Sequence, residues 1–255
     1  MKVILFANNR VGWHVTEYLA QSGDAIAGLV IHPEPKRRCG AEIVKASGVP
    51  PEHVFDGSTL MRPETLEGIR SLGAEMGVSI LFDYIMKPEL ISIFPKGVVN
   101  LHPAYLPYNR GQYPNVWSIV EGTPSGVTLH YIDEGVDTGA IIAQAEVPVL
   151  AADTGETLYK KLERESVDLF RKTWPLLKAG RARAVPQKKN GGSYHRTSDA
   201  ERIDEIRLEK TYKAADLINI LRARTFPPYK GAYFTTPEGK KVYLRLTLEE
   251  EGKDS

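Results

Sequence analysis

The chain is poor in cysteine: Cys39 is the single one in 255 residues. An internal disulfide is therefore excluded, and a reducing compartment, the cytoplasm, is the expected location. Cys39 has no Cys or His companion at metal-ligand spacing, so no metal is expected. Excess charge is lacking too. Lys and Arg number 33 and Asp and Glu 32, a formal net charge of +1. A chain without a basic field is not expected to bind nucleic acid. No apolar run approaches the about 20 residues that cross a bilayer, so no membrane partner is expected. The start, Met1 to Phe6, reads as a first strand rather than a signal peptide. Internal repeats and low-complexity segments are absent. The first strand-to-helix loop, Asn8-Asn9-Arg10-Val11-Gly12, lacks Gly-x-Gly-x-x-Gly, which argues against a nicotinamide or flavin dinucleotide.

What is present is an ordinary globular composition, 42% hydrophobic and 25% charged, in a chain long enough for one large core and a small appendage. Apolar runs at Lys2–Ala7, Ala25–Ile31, His53–Phe55, Val78–Asp83 and Gly97–Leu101 read as buried strands. Amphipathic stretches separate them, including one from Pro63 to Gly77. That alternation predicts an α/β, Rossmann-like fold with a mostly parallel sheet. A helix over Tyr113–Glu121, strands over Gly126–Ile132 and Ala140–Val149, and a long helix from an N-cap at Thr154 to Leu177 complete it, with Gly180 as the stop. The expected organisation is a catalytic domain over 1–180, a polar linker over 181–205 and an appendage over 206–255. The appendage combines a helix near Lys213–Ala223 with a β-hairpin around Pro237–Gly239. A lone hairpin is marginal, so it packs on the main domain or on a second subunit. The second option predicts a homodimer.

The densest chemistry lies in residues 97–139. Asn100 and His102 stand two apart on a strand and point to one side. A loop with Asn109-Arg110-Gly111 follows, and a later strand runs into Asp133-Glu134-Gly135-Val136-Asp137-Thr138-Gly139. Asn, His and Asp form a coherent acyl-transfer set: an oxyanion donor, a proton relay, and a carboxylate that orients the imidazole and favours its charged form. No Ser or Cys adjoins His102, which points to direct attack by a substrate nucleophile. His130, alternating with Leu129 and Tyr131 on a strand, reads as structural. Asn9 and Arg10, at the start of the first helix, read either as an anion site or as a polar turn with a solvated arginine.

These residues fall in an ordered pattern, Asn100-Leu101-His102-Pro103, Leu106-Pro107, Arg110-Gly111, Gly126-Val127-Thr128, then Asp133-Glu134-Gly135-Val136-Asp137-Thr138-Gly139. The pattern resembles the signature of the 10-formyltetrahydrofolate-dependent formyltransferases. The resemblance covers about the first 180 residues and is less specific in the tail. It implies the formyltransferase fold and the catalytic trio Asn100, His102 and Asp137. It also implies N10-formyltetrahydrofolate as co-substrate, with no metal. The pterin would be held by Phe82, Tyr84, Met86, Leu90, Asp133, Glu134 and Val136. For Met86 and Leu90, core packing is the alternative reading.

Within the family, the short tail and near-zero charge separate this chain from methionyl-tRNA formyltransferases, which carry a basic barrel. The presence of a tail separates it from the glycinamide ribonucleotide enzymes. The loop Pro107-Tyr108-Asn109-Arg110-Gly111 resembles that of bacterial sugar N-formyltransferases. The resemblance therefore implies an amino-dideoxy sugar linked to dTDP, or less readily to UDP or GDP. Asn9, Arg10, Tyr105, Tyr108, Asn109, Arg110 and Trp117 are the candidate contacts to it. A methionyl-tRNA formyltransferase, a formyltetrahydrofolate hydrolase and a silent nucleotide-sugar binding module remain open alternatives.

Overall fold

A computed structural model of the chain describes residues 1–188 and 191–251. Apolar runs become strands where both faces are covered. In β1 (Lys2–Ala7), Val3 through Phe6 have no exposed surface. The amphipathic stretch after it is α1 (Asn9–Gln21), which buries Val11, Val15 and Leu19 on one face. Then come β2 (Ala25–Ile31), α2 (Gly40–Ser47), β3 (Val54–Asp56), α3 (Pro63–Ser71), β4 (Met76–Ile80), α4 (Pro88–Ile91) and β5 (Val98–His102). β6 (Arg110–Gly111), α5 (Pro114–Val120), β7 (Gly126–Tyr131) and β8 (Ile141–Glu146) follow. The chain continues through α6 (Gly155–Lys178), β9 (Tyr194–His195), α7 (Thr197–Asp204), α8 (Ala214–Ala223) and a hairpin of β10 (Tyr233–Thr235) and β11 (Lys241–Tyr243).

Seven strands form one sheet in the order β3-β2-β1-β4-β5-β7-β8. The pairs β2/β3, β1/β2, β1/β4 and β4/β5 are parallel, and β5/β7 is antiparallel. This is the mostly parallel α/β architecture expected, with a small C-terminal hairpin. Several expected boundaries moved. The helix from Pro63 stops at Ser71, because Gly73 turns left-handed at φ 58° and β4 begins at Met76. The strand expected to reach Asp83 ends at Ile80, where Leu81 turns to φ 49°. The stretch 181–205, polar enough to read as linker, contains β9 and α7. Short strands in polar sequence carry no hydrophobic period to announce them.

The chain clusters into two compact units. The first comprises Met1–His102, Val127–Ala145 and 163–188; the second comprises Pro103–Gly126, Glu146–Leu162 and the described residues from 191 onward. The core of the first unit gathers Ile4, Phe6, Val30, Ile69, Phe94 and Val98. In the second unit, Asn115 donates to the Gly155 carbonyl at 2.9 Å, and Arg222 donates to the carbonyls of Leu150, Ala151 and Asp153.

Helix α6 is tied to the first unit by a buried carboxylate. Trp174 and Lys178, one turn apart and so on one face, both donate to Asp24 Oδ2, at 2.8 and 3.1 Å. The Asp24 side chain has no exposed surface. Pro175 inside this helix cannot donate to the Arg171 carbonyl, and the Tyr18 hydroxyl donates there instead at 3.4 Å. Removing Asp24 leaves the Trp174 indole N–H buried without its acceptor and strips a partner from Lys178. Asp24→Ala is expected to lose about 3 kcal/mol of stability, the scale of orphaning buried polar partners. Urea denaturation measures it; a loss under about 0.5 kcal/mol, the range of an ordinary surface substitution, would contradict it.

Candidate functional site

The centre of the site is set by strand register. β5 and β7 run antiparallel with Asn100 opposite His130 and His102 opposite Thr128. Residues directly opposite share a face of the sheet. His130 is buried, and its Nδ1 bonds the Tyr131 carbonyl at 2.7 Å, so Nδ1 carries the proton. Nε2 is then an acceptor, and Asn100 Nδ2 donates to it at 3.2 Å. The cross-strand histidine thus fixes the orientation of the Asn100 carboxamide. His130 is structural in its burial, but its hold on Asn100 was not visible in the sequence.

Asp137 completes the cluster. Its Oδ2 lies 3.6 Å from His102 Nε2 and its Oδ1 lies 3.6 Å from His130 Nε2. The carboxylate faces two imidazoles, at distances that leave room to tighten around a substrate. The three residues Asn100, His102 and Asp137 are thereby brought together within the first unit. Because β7 is antiparallel, its carboxyl end at Tyr131 lies opposite Val99, not beside the carboxyl end of β5 at His102. The following loop must double back to deliver Asp137.

That loop is pinned at several points. Asp133 Oδ1 accepts from the Gly135 N–H and from the Thr138 hydroxyl. The Tyr131 N–H donates to the Ala140 carbonyl at 2.9 Å, and a Cβ on Gly139 would run into the Tyr131 carbonyl. Asp137 itself sits in the left-handed region at φ 54°. Among non-glycine residues, Asp and Asn tolerate this best.

The pattern of residues, the sheet order and this cluster meet in one comparison. A formyl transferase family model matches residues 1–173. The chain belongs to the formyltransferase family. An N-formyltransferase dimerization C-terminal domain model matches residues 199–250. A methionyl-tRNA formyltransferase of Symbiobacterium thermophilum is 32% identical over 239 residues, spanning 90% of this chain and 71% of that protein. A 4-N formyltransferase from Francisella tularensis superposes with a TM-score of 0.83 at 26% identity, covering 98% of each chain. The formyltransferase PseJ from Anoxybacillus kamchatkensis was solved with UDP-4,6-dideoxy-4-formamido-L-AltNAc and tetrahydrofolate. It is 31% identical, with a TM-score of 0.57, over 79% of this chain and 89% of that one.

The residues that the family resemblance assigns to the pterin divide in two. Met86 and Leu90 are buried members of the core. Phe82 and Tyr84 lie partly exposed against that core, their ring centroids 5.4 Å apart. Asp133, Glu134 and Val136 sit exposed on the 133–139 loop. An apolar floor with partly exposed aromatic faces fits a flat heteroaromatic ring.

The residues assigned to the acceptor fare unevenly. Arg10 is exposed at the start of α1, whereas Asn9 turns its Oδ1 onto the Val11 N–H at 2.9 Å. Tyr105, Tyr108 and Arg110 are half-buried in the second unit. Asn109 is fully buried, and its carboxamide is taken up inside the loop. Nδ2 donates to the hydroxyls of Ser118 and Thr123, and Oδ1 accepts from Ser193. Trp117 is buried as well and stacks on His195 with centroids 4.0 Å apart. In this structure both side chains pack within the second unit. The Arg110-Gly111 pair has a structural meaning too. It forms β6 against β9, and a Cβ on Gly111 would collide with the His195 carbonyl.

His32 is a further buried histidine beneath the aromatic pair, with its ring centroid 4.8 Å from Phe82 and 5.2 Å from Tyr84. Nε2 accepts the Asp83 N–H at 3.3 Å, and Nδ1 has no hydrogen-bond partner among the described residues. Burial is the main cause that pushes its pKa below the ordinary 6.5, with Lys36 adding to it and Asp83 and Asp56 opposing it. The sign follows from linkage: between the folded pKa and 6.5 the unfolded chain binds more protons at this site. Stability is therefore complete above that window and falls as the pH drops through it. Urea midpoints measured at pH 7.5 and pH 5 are expected to separate less in His32→Gln than in the parent; an equal separation would contradict the assignment.

Proposed function

We propose that this enzyme transfers the formyl group of N10-formyltetrahydrofolate to the primary amine of a nucleotide-linked amino-dideoxy sugar. The observation that carries the reading is the convergence of Asn100, His102 and Asp137, with the Asn100 carboxamide held by His130. A donor amide and an imidazole at one point suit an oxyanion. A carboxylate on the imidazole suits proton transfer.

In this reading Asn100 and protonated His102 stabilise the tetrahedral oxyanion that forms when the neutral amine attacks the formyl carbon. Asp137 orients His102 and assists the proton on its way from the attacking amine to the departing folate nitrogen. Phe82 and Tyr84 supply aromatic faces for the pterin, and the 133–139 loop closes on it. The co-substrate provides the activated one-carbon group; the chain provides position and electrostatics.

Two observations bear on the acceptor. The 31% identity with a structure holding a UDP-linked 4-formamido sugar supports a nucleotide sugar, with UDP a candidate carrier beside dTDP. The 32% identity with a methionyl-tRNA formyltransferase favours a second reading, with tRNA as acceptor. The balanced charge weighs against it, since an RNA footprint needs a basic face. The match of 199–250 to a dimerization domain supports a homodimer through the C-terminal region. Light scattering is expected to report twice the monomer mass.

Incubation with 10-formyltetrahydrofolate and a panel of dTDP-, UDP- and GDP-linked 3-amino and 4-amino sugars, beside methionyl-tRNA, tests the proposal by mass spectrometry. A formylated nucleotide sugar with untouched tRNA is the expected outcome; formylated tRNA alone overturns it. Asn100→Ala, His102→Ala and Asp137→Ala are each expected to lower turnover by about 10²-fold or more, the scale of losing an oxyanion donor or a proton-transfer group. A fully active His102→Ala enzyme would remove the basis for the assignment.

A further inference from the structure

The loop that presents Asp137 is held from far along the chain. Beyond α6, Val185 and Ile141 exchange two backbone hydrogen bonds at 2.8 Å each, in antiparallel sense. Antiparallel pairing matches a step of two forward on one strand with two back on the other. Val185 opposite Ile141 therefore brings Gln187 level with Gly139. The half-buried Gln187 side chain takes up that position. Its Nε2 donates to the Asp137 carbonyl and to the Gly139 carbonyl, at 2.8 Å each. A primary carboxamide nitrogen carries two hydrogens, one for each carbonyl.

We propose that Gln187 is a positioning residue for formyl transfer: by bridging the backbone carbonyls of Asp137 and Gly139 it holds the turn that aims the Asp137 carboxylate at His102. The inference rests on the role of Asp137 given above. Asp137 adopts φ 54°, a conformation that an L side chain occupies at a cost and that its surroundings must enforce. The Asp133 and Thr138 contacts bind the loop to itself. Gln187 binds it to a neighbouring segment, which fixes the turn in place. Release of the two carbonyls lets the turn relax and moves the carboxylate away from His102 Nε2. Displacement of a reacting group by about 1 Å costs on the order of 10²-fold in rate.

The test uses the full chain with Gln187→Leu, which removes both donors, and Gln187→Glu, nearly isosteric but with acceptors facing the two carbonyls. Asp137→Asn is the reference. Turnover is read with 10-formyltetrahydrofolate and a UDP-linked 4-amino-4,6-dideoxy sugar. Both Gln187 variants are expected to lower kcat by about 10- to 100-fold with KM changed by no more than about twofold. The His102 ring resonance, assigned by its loss in His102→Gln, is followed against pH by NMR, a readout independent of the acceptor. Among the described residues, Asp137 faces that ring and His130 faces Asp137. In Gln187→Leu the His102 titration is expected to move in the direction seen in Asp137→Asn. A purely structural Gln187 lowers the melting temperature and leaves both the kcat and the His102 titration of the folded variant unchanged; that result overturns the proposal. An unchanged titration and full activity in Asp137→Asn instead overturns the role of Asp137, and the inference built on it falls with it.

Discussion

The antiparallel register of β5 against β7 is the constraint on which the site depends. Four strands to one side of β5 run parallel to it in sequence along the sheet, and β7 alone is paired to it in the opposite sense. Reversal puts Asn100 across from His130 rather than at the end of a parallel neighbour. The histidine then finds its own anchor on the adjacent Tyr131 carbonyl and presents an acceptor to the carboxamide. A slip of one residue would turn every side chain of β7 to the other face. Asn100 would then lose its partner, and the apolar residues on either side of His130 would lose their cover.

The same reversal creates the difficulty that the 133–139 loop resolves. An antiparallel strand carries the chain away from His102, so the aspartate has to be brought back. The chain accomplishes this with Gly139 pressed against the Tyr131 carbonyl, Asp133 closing the turn on itself and Asp137 in a left-handed conformation. Each of these is a local cost or a residue without helix or strand preference. Their concentration in seven residues is what a site held in a defined geometry requires, since preorganised donors and charges are effective only if they need not reorganise during reaction.

These demands explain what was legible in the sequence. Buried strands announce themselves through apolar runs, and a tight turn announces itself through Gly and Asp at fixed offsets. Asn100, His102 and Asp137 stood in such a pattern, and the structure brings the three together. What stayed hidden depended on pairing between distant segments. β6 and β9 are two residues long and polar, and only their meeting makes them strands. Asn109 and Trp117 stood among the candidate contacts, and residue type alone does not reveal their burial; Ser193 and His195, some 80 residues on, supply the partners that enclose them. His130 kept its secret for the same reason, since alternation along a strand says which face a residue occupies and not who faces it.

Chemistry and acceptor choice are recorded differently along this chain. The groups suited to the one-carbon transfer all lie in the first unit, on a sheet whose strands are dictated by apolar sequence. Several residues that a resemblance assigns to the acceptor lie in 103–126, where the chain uses them for its own packing. A fold can keep its reaction while its recognition surface is rebuilt. The reaction needs a few polar atoms at fixed separations, which a rigid sheet supplies. Recognition needs exposed side chains, and exposure leaves little imprint on hydrophobic pattern. Of the acceptor candidates, Arg10 is exposed and Tyr105, Tyr108 and Arg110 are half-buried, so the discrimination between a sugar nucleotide and a tRNA has to be argued from these surfaces and from charge. A pyrophosphate presents two negative groups to one or two cations, whereas an RNA backbone presents a row of them. With 33 basic residues against 32 acidic ones, any surplus of cations has to be local to one face.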